Sequence, residues 1–207
     1  MRVRIKFCGI TRPEDAAAAA AAGVDAIGLV FYRDSPRYVS PQHAATVCRA
    51  LPPFVSRVGL FVDPDRQWVQ EVLKAVPLHL LQFHGTEPVS LCTSFGLPYL
   101  KGVRVRETID IVRADNDHGP AQALLLDAFV AGQQGGTGVP FSWAQVPAGL
   151  VHPVILAGGL TPENVGAAVA AVRPYAVDVS GGIENRPGIK DAGKMRRFAE
   201  AVLEAGK

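Results

Sequence analysis

Cysteine, charge of one sign and long apolar runs are all scarce in this chain, and each scarcity removes a class of function. Cys8, Cys48 and Cys92 lie far apart and form no CxxC or Cys/His cluster, so neither a zinc site nor a disulfide framework is expected, and a reducing compartment fits. The 21 basic and 19 acidic residues leave a net charge of only +2, without the polyelectrolyte footprint that a nucleic-acid partner requires. No stretch approaches the roughly 18 to 20 unbroken apolar residues needed to span a bilayer. The basic start "MRVRIKF" has no apolar core directly behind it, and the run Ala16 to Ala22 follows Glu14 and Asp15, so that run reads as helix and not as an export signal. The expectation is a soluble, cytoplasmic protein with no membrane or nucleic-acid partner and no metal site. The first strand-helix turn, "CGIT", lacks the GxGxxG fingerprint, and the glycine-rich segment "VAGQQGGTG" lacks the GxxxxGK[ST] pattern of a nucleotide loop.

What the chain does contain is a recurring alternation. Apolar runs of four to eight residues are each followed by a turn signal and then a helical stretch, as expected of parallel strands with crossover helices. Strands are expected at Val3–Cys8, Ala26–Phe31, Val55–Val62, Leu78–Phe83, Tyr99–Val103, Ala123–Ala128, Val154–Ala157 and Ala176–Val179. Pro13, Glu14 and Asp15 open the first helix, with Gly23 just past its end. Ser40-Pro41 opens the second, Asp63-Pro64-Asp65 the third, and Thr161-Pro162-Glu163 the seventh. Eight such units with no linker or composition break favour an α/β fold, a single (β/α)8 TIM barrel of parallel strands occupying residues 1–207. A doubly wound open sheet is the alternative.

In a barrel the C-terminal strand ends face the mouth where sites are built, so they are where chemistry belongs. Cys8 ends strand 1, and alternation turns Lys6 and Cys8 toward the barrel interior while Ile5 and Phe7 face the helices. A thiol there is either a small core filler or a reactive group helped by the ammonium one pleat below. Asp127 ends strand 6 after three leucines, a costly place for an unpaired carboxylate. It reads as a general acid with a raised pKa, or as a cap or ion pair for the following loop. Asp178 in strand 8 neighbours strand 1 once the barrel closes, and a Lys6–Asp178 pair is expected, mainly structural and secondarily a tuner of Cys8. Gly158-Gly159 and Ser180-Gly181-Gly182 follow strands 7 and 8, the usual phosphate position of such barrels, with ordinary tight turns as the competing reading. Arg37 is a mouth-side guanidinium able to clamp a carboxylate in bidentate fashion, or a solvated surface arginine. His84, ending strand 4, hydrogen-bonds a substrate or holds a neighbouring side chain. Residues Val130 to Gly138 read as a loop over the mouth.

Taken together, "KFCGIT", "GLVFYRDSPRYVSP", "RVGLFV", "LQFHG", "LLLDAF", "GGTG", "LAGGLTPENV" and "VDVSGGIENRPGIKD" closely resemble the phosphoribosylanthranilate isomerase family of tryptophan biosynthesis, over nearly the whole chain. The resemblance implies an Amadori rearrangement of N-(5′-phosphoribosyl)anthranilate to 1-(2-carboxyphenylamino)-1-deoxyribulose 5-phosphate, with no metal or organic cofactor. It matches the family's base to Cys8 and its acid to Asp127, both acting in general acid–base catalysis. Arg37 matches the contact to the anthranilate carboxylate, and the phosphate is expected on Gly158-Gly159 and Ser180-Gly181-Gly182. His84 and Asp178 are placed among the substrate-facing residues. A phosphorylated small molecule is the expected partner, and the chain is expected to be a monomer or a homodimer. Where many members read "GGTGKTFDW", this chain has Val139 and Ser142, away from the proposed acid and base. A related isomerase of the histidine pathway, or a dual-substrate version, carries an aspartate in place of the strand 1 cysteine and needs a second phosphate site. A non-catalytic phosphate-binding barrel needs no acid–base pair.

Overall fold

The computed structural model describes residues 2–128 and 142–206. Eight strands, β1 (Arg4–Cys8), β2 (Ala26–Val30), β3 (Ser56–Phe61), β4 (Leu80–Phe83), β5 (Tyr99–Val105), β6 (Ala123–Ala128), β7 (Val154–Leu156) and β8 (Ala176–Val179), pair in chain order into a closed barrel. All ladders between them are parallel, and β1 closes on β8 with Lys6 opposite Asp178. The strands match the expected runs to within two residues at either end; most runs continue a residue or two past the ladder, while β5 extends to Val105, pairing there with Ala128.

Strand parity divides two cores. Inward-facing Val58, Leu100, Ala123, Leu125, Ile155, Ala157 and Ala176 fill the barrel axis. The opposite parity buries Ile5, Phe7, Ile27, Leu29 and Leu81 under the helices. Phe7 meets Phe198 edge-on at 5.9 Å, and Phe31, Phe61 and Phe83 form a row outside β2 to β4 with centroids 5.4 and 6.1 Å apart. Fully burying each such ring stabilises by roughly 1.5–3 kcal/mol.

The outer layer holds α1 (Pro13–Ala21), α2 (Pro41–Arg49), α3 (Arg66–Ala75), the single turn α4 (Val89–Cys92), α5 (Thr108–Asp117), α6 (Val165–Val172) and α7 (Ala192–Ala205). Ser40 caps α2 through the His43 amide, and Asp65 caps α3 through the Trp68 amide at 2.7 Å. Asp63-Pro64-Asp65 leads into α3 as expected, with Asp65 as its cap, while Asp63 adopts φ +43° and accepts hydrogen bonds from the Thr86 amide and hydroxyl. One expectation is corrected. Thr161-Pro162-Glu163 forms a turn ahead of the helix after β7, which begins at Val165, because Asn164 closes on the Thr161 amide and so delays helix entry. Between β6 and β7, residues 129–141 lie outside the described residues, and the described part holds the 3₁₀ turn Trp143–Gln145. An unanticipated antiparallel hairpin, β9 (Glu184–Arg186) and β10 (Ile189–Lys190), follows β8. Among the described residues no helix is long and apolar enough to cross a membrane.

Candidate active site

Inward parity carries Lys6 and Cys8 into the barrel, where both are buried. They converge above Gly28 of β2, where an added Cβ would lie 2.7 Å from the Cys8 sulfur and 3.1 Å from Lys6 Nζ. Only glycine leaves this room. Lys6 Nζ donates to Asp178 Oδ1 at 2.8 Å, the expected pair across the β1–β8 seam. Burial works against the ammonium, but Asp178, and secondarily Cys8, raise its pKa overall. Burial pushes the Cys8 thiol up, and this outweighs the opposing pull of Lys6 and Lys190, so the resting group is a thiol.

Asp127 ends β6 and is buried. Its Oδ2 lies 3.2 Å from His84 Nε2, and His84 Nδ1 lies 3.1 Å from the Gln82 amide nitrogen. An amide nitrogen can only donate, so Nδ1 accepts, and a neutral ring then carries its proton on Nε2 and donates a hydrogen bond to Asp127 Oδ2. Gln82 Oε1 is buried and finds no partner among the described residues. The ring lies against Gly102 of β5, where a Cβ would sit 2.4 Å from Nδ1.

Arg37, in the loop after β2, uses both Nε and NH2 on Glu184, at 2.9 and 2.8 Å. The bidentate fork expected for a substrate carboxylate is thus engaged by the protein's own carboxylate, because the hairpin after β8 brings Glu184 beneath the loop. Lys190 of the same hairpin donates to Glu184 Oε1 at 2.8 Å and to the Ser180 carbonyl at 3.1 Å. Burial alone would raise the Glu184 pKa, but the Arg37 and Lys190 contacts outweigh it and hold the carboxyl below its ordinary range.

Cys8, Arg37, Gln82, His84, Asp127, Asp178 and Ser180 line one small cavity of about 70 Å³. Asp127, Asp178 and Ser180 also line a cleft of about 280 Å³ walled by Gly158-Gly159 and Gly181-Gly182. Gly158 and Gly159 take φ of +79° and +65°, the left-handed region that favours glycine. A Cβ on Gly182 would meet the Leu160 carbonyl oxygen at 1.9 Å, so the turns after β7 and β8 touch backbone to backbone. Among the described residues no group of three or more His, Cys, Asp or Glu side chains is arranged to hold a metal ion.

The family described as N-(5′phosphoribosyl)anthranilate (PRA) isomerase matches residues 5–201. The chain belongs to this isomerase family. It is 57% identical to the N-(5′-phosphoribosyl)anthranilate isomerase of Pseudomonas paraeruginosa, over 99% of this chain and 97% of that protein. The crystal structure of the phosphoribosyl anthranilate isomerase of Thermotoga maritima superposes with a TM-score of 0.86 at 39% identity, covering 97% of this chain and 98% of that one. A structure of such an isomerase in complex with reduced 1-(o-carboxyphenylamino)-1-deoxyribulose 5-phosphate has a TM-score of 0.82 at 38% identity, again covering 97% and 98%.

Of the residues anticipated from the sequence, Cys8, Arg37, His84, Asp127, Asp178, Ser180 and the two glycine pairs fall on the cavity or its adjoining cleft, whereas Lys6 lines neither. Val130 to Gly138 and Val139 lie outside the described residues; Ser142 precedes the 3₁₀ turn as its N-cap position. Sequence reasoning missed Gln82, Glu184 and Lys190. Gln82 had a legible signal, since it shares parity with His84 two positions on, inside an otherwise apolar strand. Glu184 and Lys190 had none, because each becomes meaningful only through a hairpin that packs against a loop 147 residues away from Glu184.

Proposed function

We propose that this chain isomerises N-(5′-phosphoribosyl)anthranilate to the aminoketose 1-(2-carboxyphenylamino)-1-deoxyribulose 5-phosphate with Asp127 as general acid and Cys8 as general base. The observation that carries the reading is that a thiol from β1 and a carboxyl from β6 line the same cavity, with Arg37 on its wall and a glycine-walled cleft beside it. In this reading Asp127 gives its proton to the furanose ring oxygen as the C1′–O bond breaks, and the anilino nitrogen lone pair forms the iminium. The carboxylate left behind accepts from His84 Nε2, which stabilises it as charge develops. The Cys8 thiolate then removes the C2′ proton, the iminium takes up the electron pair, and the resulting enolamine tautomerises to the ketone.

Burial of Cys8 has two opposed consequences. It keeps the thiolate scarce at neutral pH, and it makes the thiolate a stronger base once formed. Lys6 and Lys190 favour the anion, and an iminium beside it adds a third positive charge at the moment of proton removal. The phosphate is assigned to Gly158-Gly159 and Ser180-Gly181-Gly182, and the anthranilate carboxylate to Arg37. Held at both ends, the ribose lies between acid and base.

The test is direct. Purified chain mixed with freshly generated phosphoribosylanthranilate should quench the anthranilate-type fluorescence, and Asp127→Asn should abolish this while leaving the circular dichroism unchanged. Normal turnover by Asp127→Asn removes the acid assignment. Turnover of the histidine-pathway aminoaldose at a comparable rate would point to the dual-substrate reading instead.

A further inference from the structure

Arg37, Glu184 and Lys190 form a buried chain of charges beside the cavity, assembled from the loop after β2 and the β9–β10 hairpin. Glu184 and Lys190 are 7% and 4% exposed. The Glu184 carboxylate meets Arg37 through both oxygens, and its Oε1 also accepts from Lys190 and from the Gly188 amide at 3.2 Å. Lys190 in turn donates to the Ser180 carbonyl and, at 3.4 Å, to the Ser180 hydroxyl, on the lip of the glycine cleft. Asp15 accepts from the Lys190 amide at 3.2 Å and ties the hairpin to α1.

The charge count of this cluster decides what it can do. An Arg37–Glu184 pair alone is neutral and offers an incoming carboxylate no net attraction. With Lys190 included, two cations face one anion and one positive charge remains. The pair also fixes the guanidinium plane. Arginine carries a long, rotamer-rich side chain whose freedom must otherwise be lost when a ligand binds. Engagement of Nε and NH2 on Glu184 orients the group and leaves NH1 as the nitrogen without an intramolecular partner among the described residues.

We propose that Glu184 and Lys190 are positioning residues for carboxylate recognition: Glu184 orients Arg37, while Lys190 anchors Glu184 and keeps the cluster cationic. This rests on the assignment of Arg37 as the contact for the anthranilate carboxylate. It explains why a hairpin absent from the basic strand–helix repeat follows β8, since it delivers both charges from one short excursion.

Steady-state kinetics with two inhibitors as probes, free anthranilate for the carboxylate end and inorganic phosphate for the other, tests the proposal. Glu184→Gln preserves shape but replaces one acceptor oxygen with an NH2 that cannot accept from Arg37. It should raise KM and weaken anthranilate inhibition by about tenfold, while kcat and phosphate inhibition stay within about threefold. In an Arg37→Ala background the same substitution should add little, because two residues acting through one contact are not additive. Lys190→Met should weaken anthranilate inhibition and flatten its dependence on ionic strength. The proposal is overturned if anthranilate inhibition of Glu184→Gln is unchanged, if both inhibitors weaken equally, if the effect is fully additive with Arg37→Ala, or if the salt dependence of Lys190→Met is as steep as that of the parent. Unchanged anthranilate inhibition in Arg37→Ala alone removes the Arg37 assignment, and the positioning role falls with it; that single variant tells the two failures apart.

Discussion

Two glycines inside the barrel set the room available to Cys8 and His84. A Cβ at Gly28 would lie 2.7 Å from the Cys8 sulfur and 3.1 Å from the Cys8 Cα, so Gly28→Ala must displace the thiol or the strand behind it. A misplacement of about 1 Å costs on the order of a hundredfold in rate, and kcat for this variant should fall accordingly. Gly102→Ala presses instead on the His84 ring and should act through Asp127. The thiol makes a second, independent prediction. Because burial raises the Cys8 pKa above its ordinary value near 9.0, its thiolate grows only at alkaline pH. Alkylation of Cys8 in the free enzyme should therefore keep accelerating as pH rises past 9.0, and Cys8→Ser should abolish both this reaction and most turnover. A rate that levels off near neutrality would show a thiol with a depressed pKa. Cys8 and Asp127 were legible as candidates because strand ends and strand parity are local properties of sequence. The pairing of His84 with Asp127 was not, since it reaches past β5 from the end of β4 to β6 and depends on which inward-facing side chains meet at the mouth.

At the scale of elements, the seam between β1 and β8 carries a buried ion pair at its centre. Removing one partner of such a pair leaves an uncompensated charge and costs about 3–5 kcal/mol, so Lys6→Met should lower urea stability by that amount. Replacing both partners, as in Lys6→Met with Asp178→Leu, should recover much of the loss. The pH dependence has a definite sign. A folded Lys6 pKa raised above its ordinary 10.5 contributes stability that is fully present below 10.5 and is lost as pH climbs through the higher folded value. Denaturation midpoints of the parent and of Lys6→Met should therefore converge only above pH 10.5. This pair could be anticipated because the seam of a closed barrel follows from strand count. The β9–β10 hairpin could not: "ENRPGIK" marks a turn, but two short polar strands carry no apolar alternation, and their stability comes from docking on Arg37 and α1.

For the whole molecule, acid is the informative stress. Asp115 of α5 accepts from the amides of Val151 and His152 and from the His152 ring at 2.6 Å, tying the helix to the segment before β7. Burial alone would raise its pKa, but these contacts outweigh it and hold it below the ordinary 3.8; Glu184 is likewise held below 4.5. Carboxyls with depressed folded values give stability that is present above the unfolded values and lost as pH falls through the folded ones. Below about pH 4 the parent should lose stability steeply, whereas Asp115→Asn, weaker at neutral pH, should show a flatter acid limb. Parallel curves for the two proteins would mean that Asp115 contributes nothing to acid sensitivity.

Eight apolar runs, their capped helices and the parity of each strand are written locally, and they suffice for a closed parallel barrel with a thiol and a carboxyl turned toward its mouth. Periodicity and capping act over a few residues, and a sequence displays them directly. Only the tertiary structure decided that Arg37 spends its fork on Glu184, that Lys190 supplies the extra cation, and that Gln82 sets the orientation of His84. The contact of Arg37 with Glu184 across 147 residues arises from hairpin docking, and no local pattern records which charges that event brings together.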